Sequence, residues 1–232
     1  MEMLQKFSVP LAIIIAGALI GVSVIYGMKP AGAVAPAAGG TAAGQNVDVK
    51  DVKITADDPI IGNKDAKVTL IYWFDYQCPF CKQFEETTLQ TLIDTYVKTG
   101  KLKIVFKDFP FLGNDSIVAA EYEHAVWETY PDKFAVWQEA MFKAQDAEGD
   151  QGFGDEVSIA KLIGTIEGMD ANKLKALVAQ KKKAYDAIAT ADQQEGVKFG
   201  VEGTPGFVTG KQMIAGAQPT NVFTAAIDSQ LK

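Results

Sequence analysis

The chain has 232 residues, of which 48% are hydrophobic and 22% are charged, and its formal net charge is −7. This length and composition are those of a globular protein with a buried core. The excess of acidic over basic residues excludes a nucleic-acid-binding surface, because such a surface requires clustered basic residues. The chain has only two cysteines, which lie close together, so a structural disulfide framework is also excluded.

The first hydrophobic segment predicts a membrane anchor. No charged residue lies between Lys6 and Lys29, and about 20 apolar residues are enough to cross the hydrocarbon core of a bilayer. We therefore predict a head at 1–7 and a single transmembrane signal-anchor helix at 8–28, with the rest of the chain on the extracytoplasmic side. A cleaved signal peptide is the alternative, because Ala31-Gly32-Ala33 resembles a signal-peptidase site.

The segment 29–50 is rich in alanine, glycine and proline and has no hydrophobic periodicity. Such a composition predicts a flexible linker. One globular domain is predicted to follow at 51–232. The linker has no room for a dimerisation module, which favours a monomer.

The globular part begins with a strand, a Cys-Pro-Phe-Cys motif and a helix. The β-branched and aromatic run at 67–74 is typical of a buried strand. After the motif, hydrophobic residues recur at helical spacing up to Gly100, and 102–106 has the composition of a second strand. This order predicts a βαβ unit with parallel strands.

The second half of the domain predicts a helical block followed by a hairpin. Residues 116–196 carry aromatic and aliphatic side chains at helical spacing, with Asp170 as a candidate helix N-cap. A hairpin joins strands at 206–209 and 212–214, and 222–231 predicts a closing amphipathic helix. The complete order is βαβ, a helical block and then ββα, which is an α/β fold.

Cys78 and Cys81 are the candidate catalytic residues. At a helix start, unpaired backbone N–H groups and the helix dipole stabilise an anion, so Cys78 is predicted to ionise and attack. Cys81, one turn later, is placed to attack the resulting mixed disulfide and release the partner. Pro79 suits the first helical turn. Phe80 adds no positive charge, so we expect a pKa of about 5 to 7 for Cys78.

Three other interpretations of the cysteine pair remain open: two buried free thiols, part of a zinc site, or a purely structural disulfide. Zinc prefers four nitrogen or sulfur ligands, and His124 is the only histidine in the chain, so we predict no metal. No cofactor is predicted other than the redox-active disulfide between Cys78 and Cys81.

The globular part resembles the DsbA-like branch of the thioredoxin superfamily. The matching segments, in chain order, are Asp58-Pro59-Ile60-Ile61-Gly62-Asn63, Phe74-Asp75-Tyr76-Gln77-Cys78-Pro79-Phe80-Cys81, Lys107-Asp108-Phe109-Pro110, Gly203-Thr204-Pro205-Gly206-Phe207-Val208 and Ile214-Ala215-Gly216-Ala217-Gln218-Pro219. The resemblance implies a thioredoxin-like fold, with a central mixed β-sheet flanked by helices and a helical subdomain inserted at about 114–197. It also implies a cis Thr204–Pro205 bond packed beside the cysteines.

The resemblance further implies the roles of the site residues. Cys78 would be the nucleophile and Cys81 the resolving thiol. The supporting residues would be Pro79, Phe80, Thr204 and Pro205. Apart from the resemblance, the aromatic residues Trp73, Phe80 and Phe111 are candidates for an apolar substrate groove, and core packing is the alternative for Trp73. One position departs from the family pattern: many relatives carry an acidic residue six positions before the first cysteine, where this chain has Tyr72.

The implied function is an extracytoplasmic enzyme that forms disulfide bonds in unfolded or thiol-containing exported proteins. An unidentified membrane redox partner would recharge it. The alternatives are a membrane-tethered disulfide reductase with the same site, a disulfide isomerase and, from another class, a redox-inert peptide-binding chaperone. The reduction potential of the cysteine pair would distinguish the oxidase from the reductase.

Overall fold

The computed structural model describes residues 47–147, 149–150 and 152–232. The predicted head, the predicted transmembrane helix and nearly all of the predicted linker lie outside the described residues. Within the described ranges, no helix combines the length and the apolar character that crossing a membrane requires. The predicted boundary between linker and domain stays a prediction.

A mixed five-stranded sheet forms the centre of the fold, in the order β1-β3-β2-β4-β5. Its strands are β1 (Ile60–Gly62), β2 (Val68–Phe74), β3 (Leu102–Asp108), β4 (Gly206–Thr209) and β5 (Gln212–Ala215). β2 and β3 are parallel, with Ile71 opposite Val105, and the other neighbouring pairs are antiparallel. The predicted βαβ unit and hairpin are therefore confirmed. β1 is absent from the predicted elements because three residues are too few to show periodicity.

Helices pack around this sheet. The first helical stretch, which begins directly after Cys78, consists of α1 (Pro79–Phe84), a π-helical turn (Glu85–Leu89), α2 (Gln90–Leu92) and a second π-helical turn (Ile93–Val97). The block between β3 and β4 contains α3 (Asn114–Thr129), α4 (Phe134–Ala144), α5 (Glu156–Ile163) and α6 (Ala171–Lys198), and α7 (Thr220–Leu231) follows β5. Short 3-10 helices lie at Val49–Asp51 and Pro131–Lys133. Asp170 caps α6 as predicted, since its carboxylate accepts hydrogen bonds from the N–H groups of Asn172 and Lys173.

The alternating side chains of β2 divide the core between the two faces of the sheet. Leu70, Tyr72 and Phe74 belong to the larger hydrophobic cluster. Ile71 and Trp73 point to the opposite face and belong to a smaller cluster. All five side chains are at most 1% exposed. Because β2 is buried on both faces, it gives the motif that follows it a rigid base.

Candidate active site

The two cysteines lie where β2 leads into the first helix. Cys78 is the N-cap of α1, and Pro79 is the first helical residue. The N–H groups of Cys81 and Lys82 donate to the Cys78 carbonyl oxygen, at 3.1 and 3.2 Å, and close the first helical turn. Both cysteines are free thiols, with Cys78 4% exposed and Cys81 fully buried. A partner disulfide can therefore reach Cys78 more easily than Cys81.

The two thiols also differ in acidity. A hydrogen bond from Cys81 lowers the pKa of Cys78 to about 7, with further help from Thr204 and from the backbone N–H groups of Cys81 and Phe80, while burial opposes the change. Burial raises the pKa of Cys81 well above its usual range, and the adjacent Cys78 sulfur reinforces this effect. The pKa of Cys78 is at the upper end of the expected range. At neutral pH, Cys78 is therefore the thiol that ionises, and Cys81 remains protonated.

A cis peptide bond between Thr204 and Pro205 lies beside Cys78. The Cys78 thiol donates to the Thr204 carbonyl oxygen, at 3.3 Å. Pro205 is buried, and its carbonyl oxygen accepts a hydrogen bond of 2.8 Å from the Gly216 N–H group, which extends the pairing of β4 with β5. The structure thus confirms the cis bond that the resemblance implied. The roles of Thr204 and Pro205 in binding a partner stay predictions.

The carboxylate of Asp75 joins the motif to the loop after β3. It accepts hydrogen bonds from the N–H groups of Gln77, Phe111 and Leu112, at 2.8, 2.9 and 3.2 Å. Burial raises the pKa of this carboxyl, whereas the Ser116 hydroxyl and the three N–H donors act in the opposite direction. Asp75 therefore holds the position of Phe111 relative to the motif.

Two aromatic side chains are exposed around the motif. Phe80 is 60% exposed and Phe111 is 49% exposed. Trp73, by contrast, is fully buried, and its indole N–H donates to the Asp192 carbonyl oxygen at 3.0 Å. The prediction that Trp73 lines a substrate groove is therefore wrong. Strand alternation directs its ring into the smaller cluster, where it packs against Phe199.

Gln145, which the sequence pattern did not indicate, connects the helical block to the motif. It is the C-cap of α4, and its buried side-chain amide donates to the carbonyl oxygens of Tyr76 and Cys78, at 2.6 and 3.1 Å. Its own backbone carbonyl oxygen accepts a hydrogen bond of 2.9 Å from the Lys82 ammonium group. Gln145 lies 67 positions after Cys78, and no pattern in the neighbouring sequence indicates that the two residues are in contact.

An acidic thiol that can attack and a buried thiol that can resolve, both placed at the end of a central strand, define a thiol–disulfide oxidoreductase. Comparisons with known proteins agree with this class. A family model described as Thioredoxin matches residues 55–229. The disulfide bond formation protein D of Bacillus subtilis (strain 168) is 25% identical over 178 residues, which cover 75% of this chain and 77% of that protein.

Solved structures share the fold of this chain. Oxidised BdbD from Bacillus subtilis aligns with a TM-score of 0.68 at 23% identity, over 75% of this chain and 93% of that chain. The thiol-disulfide exchange protein alpha-DsbA2 from Wolbachia pipientis aligns with a TM-score of 0.64 at 25% identity, over 74% of this chain and 86% of that chain. The chain belongs to the thioredoxin family, as a DsbA-like thiol–disulfide oxidoreductase.

Proposed function

We propose that this protein forms disulfide bonds in exported proteins that carry reduced cysteines. The observation that carries the proposal is the contrast between the two thiols, because Cys78 has a pKa of about 7 whereas burial raises the pKa of Cys81. At about 7, the pKa of Cys78 lies above the value of about 3.5 found in the strongest oxidants of this kind, so the thiolate is less stabilised and we expect a milder oxidant. The names of the relatives, disulfide bond formation protein D, support the same direction of electron flow.

The reaction proceeds through a mixed disulfide. A substrate thiolate attacks the Cys78 sulfur, the bond between Cys78 and Cys81 breaks, and Cys81 leaves with the electron pair. A second substrate thiolate then attacks the substrate sulfur of the mixed disulfide. This step forms the substrate disulfide and releases the Cys78 thiolate, so the substrate loses two electrons and the enzyme gains them.

Binding of the substrate is assigned to the surface around Cys78. The exposed rings of Phe80 and Phe111 offer apolar contacts to an unfolded chain. The backbone at Thr204 and Pro205 would pair with an extended substrate segment, as in strand addition. The hydrogen bond between the Cys78 thiol and the Thr204 carbonyl oxygen supports this proposal. Such contacts are independent of substrate sequence, which suits an enzyme that acts on many exported proteins.

We further propose that the protein is a monomer, and that residues 8–28 tether it to the outer side of the membrane. A redox partner in the membrane would reoxidise the cysteine pair, and this protein would need no bound cofactor. Full-length protein should then remain in the membrane fraction after carbonate extraction. Recovery of a soluble form that begins near Val34 would instead show that the hydrophobic segment is a cleaved signal peptide.

The decisive experiment measures the reduction potential of the Cys78–Cys81 pair and the oxidation of a reduced, unfolded two-cysteine peptide. We expect a potential between about −270 and −120 mV, the range from thioredoxin to a strong oxidase. We also expect the oxidised protein to convert the peptide to its disulfide form. A potential at or below about −270 mV without peptide oxidation would contradict the proposal and favour the reductase.

Phe80→His and Phe80→Leu form a matched pair for the same measurement. A histidine adds a positive partner for the Cys78 thiolate, so Phe80→His should lower the pKa of Cys78 and make the potential more positive. Phe80→Leu keeps an apolar side chain and should leave both values unchanged. The ultraviolet absorbance of the thiolate, followed against pH, reports the pKa. An equal shift in both variants would show that charge at this position does not control the thiolate.

A further inference from the structure

The backbone turn that leads into the cysteine motif satisfies its own N–H groups but needs a distant donor for a buried carbonyl oxygen. The N–H group of Cys78 donates to the Asp75 carbonyl oxygen at 3.0 Å, and that of Gln77 donates to the Asp75 carboxylate at 2.8 Å. The carbonyl oxygen of the buried Tyr76 accepts, among the described residues, a hydrogen bond only from the Gln145 side chain. A buried carbonyl group without a donor destabilises a fold. The turn therefore depends on Gln145, which lies 69 positions after Tyr76.

The side chain of Gln145 can hold this turn at two points, because one amide group carries two N–H donors. The donors reach the carbonyl oxygens of Tyr76 and Cys78, at 2.6 and 3.1 Å. Gln145 is 6% exposed, so both hydrogen bonds form away from solvent, where they are stronger than in water. The orientation of residues 76–78 is thus tied to the end of α4.

Gln145 is itself fixed between two helices. Its backbone N–H group donates to the Met141 carbonyl oxygen, at 3.0 Å, as the C-cap of α4. Its backbone carbonyl oxygen accepts a hydrogen bond of 2.9 Å from the Lys82 ammonium group of α1. A cation near the C-terminus of a helix is also favoured by the helix dipole. The helical block and the helix that carries the cysteines therefore meet at Gln145.

We propose that Gln145 is a positioning residue, which holds the Cys78 backbone so that the thiol stays at the start of α1, beside the cis peptide bond. The proposal rests on the proposed function and adds to it a residue that controls the reactivity of the nucleophile. The hydrogen bonds of the Gln145 side chain end on backbone oxygen atoms, so it acts through the orientation of the turn. The position that it maintains is marked by the hydrogen bond of 3.3 Å from the Cys78 thiol to the Thr204 carbonyl oxygen.

The acidity of Cys78 fits this role. Hydrogen bonds from the Cys81 thiol, and then from the backbone N–H groups of Cys81 and Phe80, lower the pKa of Cys78 to about 7, while burial opposes the change. Hydrogen bonds weaken steeply when donor and acceptor are poorly aligned. A turn that is free to shift would move the Cys78 sulfur away from these donors, and the thiolate would lose part of its stabilisation.

Gln145→Met tests the role, because methionine has a similar length but carries no donor. We expect the pKa of Cys78 to rise by about one pH unit in this variant. The ultraviolet absorbance of the thiolate in the reduced full-length protein, followed against pH with Cys78→Ser as the baseline, measures the change. Gln138→Met is the matched control. It removes a buried glutamine from the same helix, but one that is bonded to the side chains of Tyr76 and Glu85, so the pKa of Cys78 should stay unchanged.

The rate at which Cys78 attacks a chromogenic aromatic disulfide separates positioning from a general loss of structure. A thiol with a higher pKa is less ionised at low pH, but its thiolate is a stronger nucleophile, with a Brønsted coefficient of about 0.4–0.5. Gln145→Met should therefore react about threefold more slowly than the unsubstituted protein at about pH 6, and about threefold faster at about pH 9. A variant that is only destabilised would change the rate in one direction at both pH values.

Three results would overturn the role of Gln145. They are an unchanged pKa of Cys78 in Gln145→Met, an equal rise in Gln138→Met, and rates that change in the same direction at both pH values. If Gln145→Met does not fold, Gln145→Asn carries the same test, because its shorter side chain should keep at most one of the two hydrogen bonds. The proposed function fails by a different result, an unsubstituted protein that does not oxidise the reduced peptide. The thiolate titration needs no substrate and is independent of that result.

Discussion

Cys78→Ser should abolish disulfide exchange with a reduced, unfolded peptide. A serine hydroxyl neither ionises near neutral pH nor forms a disulfide. A substrate thiolate then has no Cys78 sulfur to attack, and no Cys78 thiolate is present to attack a partner disulfide. Cys81→Ser should keep the first attack and accumulate mixed disulfides, because the resolving sulfur is absent. The serine hydroxyl can still donate to the Cys78 sulfur, so Cys78 should remain reactive in this variant.

Mass spectrometry under non-reducing conditions measures both outcomes. Complexes should appear in Cys81→Ser, disappear on addition of a reductant and be absent from the double variant Cys78→Ser/Cys81→Ser. Exchange activity of Cys78→Ser equal to that of the unsubstituted protein would rule out the proposed catalytic role. Trapping through Cys81 in Cys78→Ser would instead mean that the more buried thiol meets the partner first, against the difference in exposure.

Lys107→Met should destabilise the protein by about 3–5 kcal/mol. The Lys107 ammonium group is almost fully buried and lies 2.8 Å from Asp58, 2.9 Å from Asp192 and 3.4 Å from Glu195. Methionine retains the apolar stem but removes the cation, which leaves buried carboxylates without compensation. Urea unfolding measures the loss. Lys98→Met is the control, because its pair with Asp94 is exposed and screened by solvent, and it should leave the free energy of unfolding unchanged.

The stability loss in Lys107→Met should depend on pH. Burial raises the pKa of Asp192 to about 7 even though Lys107 opposes the shift, so removal of Lys107 should raise this pKa further. A carboxyl whose pKa is higher in the folded state than in the unfolded state contributes stability while it is protonated, and that stability is lost as the pH rises through the folded pKa. The difference between the variant and the unsubstituted protein should therefore shrink as the pH falls from the higher pKa of Asp192 in the variant toward about 7, below which Asp192 is protonated in both proteins. A difference that is constant with pH would contradict an electrostatic origin.

Local features of the chain could be predicted from the sequence. The periodicity of β2, the helix that follows Cys78 and the Asp170 cap each depend on residues within a few positions of one another. The same is true of the cysteine pair, because a spacing of three within a helical turn brings both thiols together wherever the turn lies. The order of strands and helices then follows from short-range patterns, and the cis Thr204–Pro205 bond followed from the resemblance.

Contacts between distant segments could not be predicted in this way. Strand alternation showed that Tyr72 and Trp73 face opposite sides of the sheet, but not which side would meet the motif. Gln145 and Gln138 reach the motif and Glu85 only because α4 packs against the first helical stretch. A glutamine in an amphipathic helix has the same local pattern whether it faces water or a buried partner.

The sequence by itself determined the class of the fold, the chemistry of Cys78 and Cys81 and the acidic, non-nucleic-acid character of the chain, because these depend on composition and on neighbours along the chain. The tertiary structure alone decided which thiol is deeply buried and which side chains surround it. The hydrogen bonds that the Cys78 sulfur receives and the burial of Cys81 depend on the packing of the first helical stretch against the sheet. They set the pKa values that assign a different role to each cysteine.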